Sequence, residues 1–478
     1  MTTRDAQSWA VVGGGMLGMT LALRLAQRGQ QVTLIEASDH LGGLADAWQV
    51  GDIVWDRHYH VTLLSDSHLR RLLSELDLDR QVQWVETRTG FFTDGRLLSL
   101  SNSWEFLRFP PLGLVDKLRL GLTIFYASKL RDWRRLEGIA VGDWLRRWSG
   151  ERTYRKIWLP LLRAKLGDNH TRSAATFIWA TIARLYAARR TGLKKEMFGY
   201  VPGGYARVLE SLGQKLREVG VEVRTGHAVQ AVRSLGDRQS DEEFSAADPG
   251  DGRLEVEFAH GGSQRFDRVV LTAPAPVVAR LCPQLSAEER ARFADVTYQG
   301  VVCASLVCER QLTGYYVTNI TDDAPFSGII EMTTLVDPAH FGGRTLVYLP
   351  KYVPADDPLF ERPDAEIEAE FVAALERMFP WFNRQQVQAC RISRVRNVMA
   401  VPTLGYSQRV PPRKTTIPGL FAVTSAQIVN NTLNVNETIR LAEEAVADGL
   451  LDEPLTTERQ PPECDAEIET ARHVVAGS

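Results

Sequence analysis

No stretch of this chain reaches about 18 uninterrupted apolar residues, so no membrane-spanning helix is expected. The opening "MTTRDAQSWAVVGGG" breaks into glycines after a short apolar run, which argues against a secretory leader and for a cytoplasmic protein. Cysteine is scarce: Cys282, Cys303, Cys308, Cys390 and Cys464 are odd in number and form no CxxC pair. That spacing excludes a disulfide framework or a zinc ribbon and fits a reducing compartment. Cys303 and Cys308, five apart, would face opposite sides of a strand and read as buried apolar residues. Charge of one sign is lacking too, with a net −3 over 478 residues, so no global field points to nucleic acid. What is present, 44% hydrophobic and 24% charged residues, is the profile of a globular chain with a substantial core.

The strongest signal lies near the N-terminus, in "SWAVVGGGMLGMTLALRLAQRGQQVTLIEASDHLGGLADAW". Trp9–Val12 reads as a short buried strand, Met16–Gln27 as a helix stopped at Gly29, and "QVTLIE" as a second strand ending at Glu36. Gly13, Gly15 and Gly18 fit GxGxxG between them. In that context Gly13 permits the tight turn, Gly15 lets backbone approach a pyrophosphate, and Gly18 lets helix and strand pack closely. The helix N-terminus offers free N–H groups to phosphate. Glu36 accepts hydrogen bonds from a ribose with a free 2′-hydroxyl. One such motif means one dinucleotide.

A second glycine pair follows at Gly42 and Gly43. This arrangement resembles the FAD-dependent amine oxidase and protoporphyrinogen oxidase superfamily, where a GG turn carries the chain along the cofactor. The resemblance implies FAD and an α/β fold: a Rossmann-like FAD-binding domain built from discontinuous segments, interleaved with an α+β substrate domain and a helical insert. It places the FAD domain at 1–65, 196–275 and 415–451, the helical basic insert at 66–195, the substrate-binding domain at 276–414 and a flexible tail at 452–478.

Three later stretches resemble the family's returns to the FAD domain. Residues 199–232 read as turn, helix and two strands, with Val229 implied beside the adenosine. "FDRVVLTAPAPVV", 266–278, reads as a buried strand and a proline loop. Residues 417–450 read as strand, loop and helix. There the family's usual Gly-Asp is replaced by Thr424–Ser425, so the flavin-side contact passes to Thr424, Ser425 or backbone. The last helix is expected to start near Asn436, which would cap it and aim its positive end at the flavin pyrimidine edge.

The insert is basic: residues 106–172 hold 15 Lys and Arg against six Asp and Glu. Three readings stay open for it: a site for a phosphate-bearing substrate, peripheral membrane contact through 106–135, or solvated charge around core helices. The acidic stretch 236–253 reads as a mobile hairpin loop.

"IVWDRHYHV" is the remaining singular stretch. If extended, Asp56, His58 and His60 share one face, yet Asp56 and His60 would stand about 13 Å apart, too far for one metal ion. In UDP-galactopyranose mutases, which share the FAD fold, a similar aromatic-and-histidine stretch lies against the flavin. By that resemblance Tyr59 and His60 are the candidate flavin neighbours, with His58 beside them and Arg57 holding an anionic substrate or the FAD. "WLPLLRAKLGDNHTRSAAT" resembles the segment that reaches the active site from the insert, and Lys165 is its candidate for the lysine that holds a water near flavin N5.

The implied activity is that of an FAD-dependent oxidoreductase taking hydride from a small organic substrate, an anionic, phosphorylated or sugar-bearing one among them. The electron acceptor is left open between oxygen, a quinone and another protein. A redox-neutral flavoenzyme resembling UDP-galactopyranose mutase is the first alternative, and a non-catalytic protein resembling Rab GDP-dissociation inhibitors the second.

Overall fold

A computed structural model describes residues 6–188, 197–236 and 253–450. The stretch expected as a mobile hairpin and the expected tail therefore lie largely outside the described residues, as does Cys464.

A five-stranded parallel sheet organises the first layer. Its order is 222–224, 31–35, 8–12, 268–271 and 420–422. Apart from the edge strand 222–224, Glu-Val-Arg, its strands are largely apolar and buried because both faces are covered, the situation of parallel sheets. Alternation along 8–12 sorts them: Trp9 and Val11 enter one core, Ala10 and Val12 the other. Over the first face lie the helices Met16–Ala26, Gly204–Glu218 and Val435–Ala447. Over the second lie a small antiparallel sheet, 229–234, 254–258 and 263–266, and the helices Ala275–Leu281 and Ala287–Ala294. Within 266–278 the strand is Arg268–Leu271, and the expected proline loop is a short loop followed by a helix with Pro274 at its N-cap.

A seven-stranded mixed sheet forms the second layer, in the order 387–400, 298–308, 345–354, 328–331, 317–320, 89–93 and 96–99. Strand 298–308 is buried throughout. Its even residues Val302, Ala304, Leu306 and Cys308 face the core shared with helix Asp364–Met378, while Val301, Cys303 and Val307 face the opposite core. The two cysteines therefore do point to opposite faces.

Helices Leu114–Lys129, Val141–Ser149, Leu159–Leu166 and Thr176–Ala188 build a third core. The range 66–195 is not wholly helical, however. Its hairpin 89–93/96–99 extends the seven-stranded sheet by pairing in parallel with 317–320. Pairing across 228 positions leaves no local periodicity to announce it.

Candidate functional site

The glycine turn is built as a cradle. Gly13 has φ +116°, a conformation side chains disfavour. A Cβ on Gly18 would fall 1.8 Å from the Gly13 carbonyl oxygen, so helix and turn touch backbone to backbone. Gly15 is the N-cap of helix Met16–Ala26, and no side chain caps it. Its first N–H groups are left for an external anion. Gly15 also bridges to Gly42, whose N–H donates to the Gly14 carbonyl at 2.9 Å. A Cβ on Gly43 would come within 3.0 Å of the Gly15 Cα. The Glu36 carboxylate accepts from Gly14 N–H at 2.5 Å and from Ser38 N–H at 2.9 Å. A carboxylate has about four lone-pair sites, so acceptor capacity remains for ribose hydroxyls.

Val229 opens the small antiparallel sheet opposite Phe258. Thr424 is fully buried, and its Oγ1 has no hydrogen-bond partner among the described residues. Ser425 starts a single 3-10 turn directly after it. An orphaned buried hydroxyl costs free energy unless something bonds it. Together with the uncapped helix and the side-chain-free cradle, it fits a dinucleotide.

Asn436 departs from expectation. The final helix runs Val435–Ala447 and is capped by Asn434, whose Oδ1 accepts from Glu437 N–H at 3.1 Å. Asn436 is buried, and its Oδ1 accepts from the N–H groups of His68 and Leu69 at 2.9 and 3.1 Å. It serves the N-terminus of helix Ser67–Glu75, which lacks a side-chain cap of its own.

The "DRHYH" stretch does not stay extended. The strand ends at Asp56, the chain bends at 57–58, and the side chains disperse instead of sharing a face. The Asp56 carboxylate accepts from Tyr205 N–H at 2.7 Å, and burial raises its pKa to about 7. Arg57 lies 5.4 Å over the Trp48 ring, and its buried Nε has no partner among the described residues. His58 Nε2 meets Ser393 Oγ at 2.7 Å; burial, then the neighbouring His60 and Arg57, push its pKa down to about 3. His60 packs on the Tyr205 ring at 4.9 Å, its Nδ1 without a partner among the described residues, and burial lowers its pKa to about 4. Both imidazoles are neutral at pH 7.

Tyr59 turns toward the seven-stranded sheet. Its hydroxyl shares a 2.7 Å hydrogen bond with that of Tyr352, and its ring lies 6.1 Å from Tyr348. Burial raises the Tyr59 pKa to about 12 and that of Tyr352 well above its ordinary value. Lys165 reaches the same place from helix Leu159–Leu166, with its Nζ 3.7 Å from the Tyr352 ring centroid. Burial lowers its pKa to about 7. Two segments about 190 residues apart in sequence, and a third from the N-terminal domain, thus bring Tyr59, Lys165 and Tyr352 together.

Tyr352 was not singled out by sequence. The signal was there: Tyr348 and Tyr352 in "VYLPKYV" lie four apart, so on one face of a strand. Ser393 had no comparable signal, because only the pairing of 387–400 with 298–308 brings it to His58.

Residues 17–439 match the sequence pattern of the flavin-containing amine oxidoreductases. The coproporphyrinogen III oxidase of Propionibacterium freudenreichii is 24% identical over 475 residues, covering 84% of this chain and 82% of that protein. The zeta-carotene desaturase of Synechocystis is 24% identical and the carotenoid phi-ring synthase of Streptomyces griseus 29% identical, each over 253 residues. The chain spans about half the length of these two carotenoid relatives, 50% and 48%. In three dimensions it resembles a protoporphyrinogen oxidase candidate from Exiguobacterium, with TM-score 0.70 and 19% identity over 94% of this chain and all of that one. It also resembles a putrescine oxidase bound to putrescine, with TM-score 0.65 and 16% identity over 93% of this chain and 98% of that one. At these identities the structural likeness speaks to fold, and the matched pattern speaks to family. The chain belongs to the flavin-containing amine oxidoreductase family, and its cofactor is FAD.

Proposed function

We propose that the protein is an FAD-dependent oxidoreductase that removes hydride from a small organic substrate beside Tyr59, Tyr352 and Lys165. The observation that carries this reading is the Lys165 amine, held over Tyr352 with its pKa near 7. FAD, when bound, supplies the two-electron acceptor at N5. Everything else falls to the chain. Lys165 in its neutral form accepts the proton that the substrate releases as hydride leaves the adjacent carbon. Tyr59 and Tyr352 stay protonated and form a polar-tipped aromatic wall. That wall fits a planar or unsaturated substrate. The Arg57 Nε, without a partner among the described residues, favours a substrate that carries an anionic group.

The acceptor is of the class of oxygen, a quinone or a protein, and 106–135 makes peripheral contact with a membrane. An unsaturated substrate is in keeping with relatives named a coproporphyrinogen III oxidase and a zeta-carotene desaturase.

The test is anaerobic mixing of the yellow holoprotein with a panel of porphyrinogen-like, polyene and amine substrates, read at the flavin absorbance. Bleaching by at least one class, slowed in Lys165→Met without loss of FAD, supports the reading. Turnover that appears only after dithionite reduction and with no net redox would overturn it.

A further inference from the structure

Among the described residues, eight of the twelve exposed large hydrophobic side chains fall between Trp104 and Tyr126. Such concentration makes a patch rather than the usual scatter of single exposed residues. Six of them lie on helix Leu114–Lys129: Leu114, Val115, Leu118, Leu122, Phe125 and Tyr126. At 3.6 residues per turn these six fall within an arc of about 120°. Leu120, Thr123 and Ala127 occupy the opposite arc and are buried in the insert's core. The helix is therefore apolar on both sides. Packing explains one side only; Leu114 is 79% exposed and Leu118 65%. Trp104 and Leu107, on the short preceding helix Ser103–Arg108, are exposed as well.

The rim is cationic. Arg108, Lys129, Arg131, Arg134 and Arg135 are exposed; the one exposed acid among 104–135, Asp132, is ion-paired to Arg135 at 2.8 Å. Arg108 stacks at 4.3 Å over Trp104, Lys129 at 5.6 Å over Phe125 and Arg134 at 5.0 Å over Trp133. No helix among the described residues is long and apolar enough to cross a membrane.

We propose that this face lies on the surface of an anionic bilayer, with the leucines and Phe125 entering the headgroup boundary and the cations paired to lipid phosphates. It rests on the peripheral contact proposed above and names the face and the lipid charge. An apolar stripe flanked by Lys and Arg, with aromatic rings beneath the cations, is the composition of interfacial helices. A second copy of the chain is the poorer occupant: a two-fold contact would set this cationic rim against itself.

The holoprotein is sedimented with vesicles of phosphatidylcholine alone and of phosphatidylcholine with phosphatidylglycerol, at low and high salt. Wild type should bind the anionic vesicles, and high salt or Arg131→Gln/Arg134→Gln should weaken binding. Leu118→Asn/Leu122→Asn should lower it by at least about tenfold. Because these side chains are exposed, that variant should keep its FAD spectrum and its melting temperature. Failure of wild type to bind anionic vesicles, or equal binding by the leucine variant, would overturn the proposal. So would a dimer in ultracentrifugation that the leucine variant dissolves. Vesicle binding is read without turnover, so a failed substrate assignment leaves this result standing.

Discussion

Lys165 holds its amine 3.7 Å from the ring centroid of Tyr352, and no carboxylate among the described residues is paired with it. A lysine so placed pays for burial by losing affinity for its proton. Its pKa near 7 sets a first expectation. Flavin reduction should speed up as pH rises through about 7 and level off above, since the neutral amine is the active form. Lys165→Met should remove that limb and slow reduction by roughly 10²–10⁴-fold. Stopped-flow traces from pH 5.5 to 9 would show it; an unchanged pH profile in the variant excludes Lys165 as the base.

The Tyr59–Tyr352 pair predicts non-additivity. Tyr59→Phe alone leaves the Tyr352 hydroxyl without its partner, at a cost of about 1 kcal/mol, and Tyr352→Phe does the converse. The double Phe variant should lose less than the sum of the two. Urea denaturation of all four proteins closes the cycle, and strict additivity would mean the bond contributes nothing.

Gly18→Ala should yield protein with little or no bound FAD. The added Cβ would be driven into the Gly13 carbonyl, and the cradle cannot yield without opening the turn. The ratio of flavin to protein absorbance measures this. A fully loaded variant would show that the turn is not part of the cofactor site.

Asp56 predicts a stability trend with a definite sign. Its folded pKa, about 7, lies above the ordinary 3.8. Between those values the folded state holds a proton that the unfolded state has released, so this group's contribution falls as pH rises from about 4 to 7. Asp56→Asn keeps an acceptor for Tyr205 N–H and removes the titration. The variant should therefore gain on wild type between pH 5 and pH 7, followed by thermal unfolding. A constant difference across that range refutes the buried-acid reading.

What could be read from sequence follows from distance along the chain. The cradle is local: Gly13, Gly15, Gly18, Glu36 and Gly42–Gly43 lie within 31 positions, and turn chemistry dictates each. The chemistry at Tyr59 is not local. It needs a helix near 165 and a strand near 352, joined only by tertiary packing. Likewise Asn436 looked like a cap because an asparagine before a helical run usually is one. Asn434, two residues earlier, took that role and freed Asn436 to serve another helix. The chain's polar groups were visible; their partners were not.

Strand 420–422 closes the parallel sheet, and helix Val435–Ala447 completes the layer over the Met16–Ala26 helix. The first dinucleotide-binding element made on the ribosome is thus among the last to be finished. Some four hundred residues must emerge before the nascent glycine turn gains its full support. Folding of such high contact order is slow and leaves apolar strand edges open in the meantime. FAD supply and chaperone capacity during synthesis, more than the stability of the finished protein, should then set how much active enzyme a cell obtains.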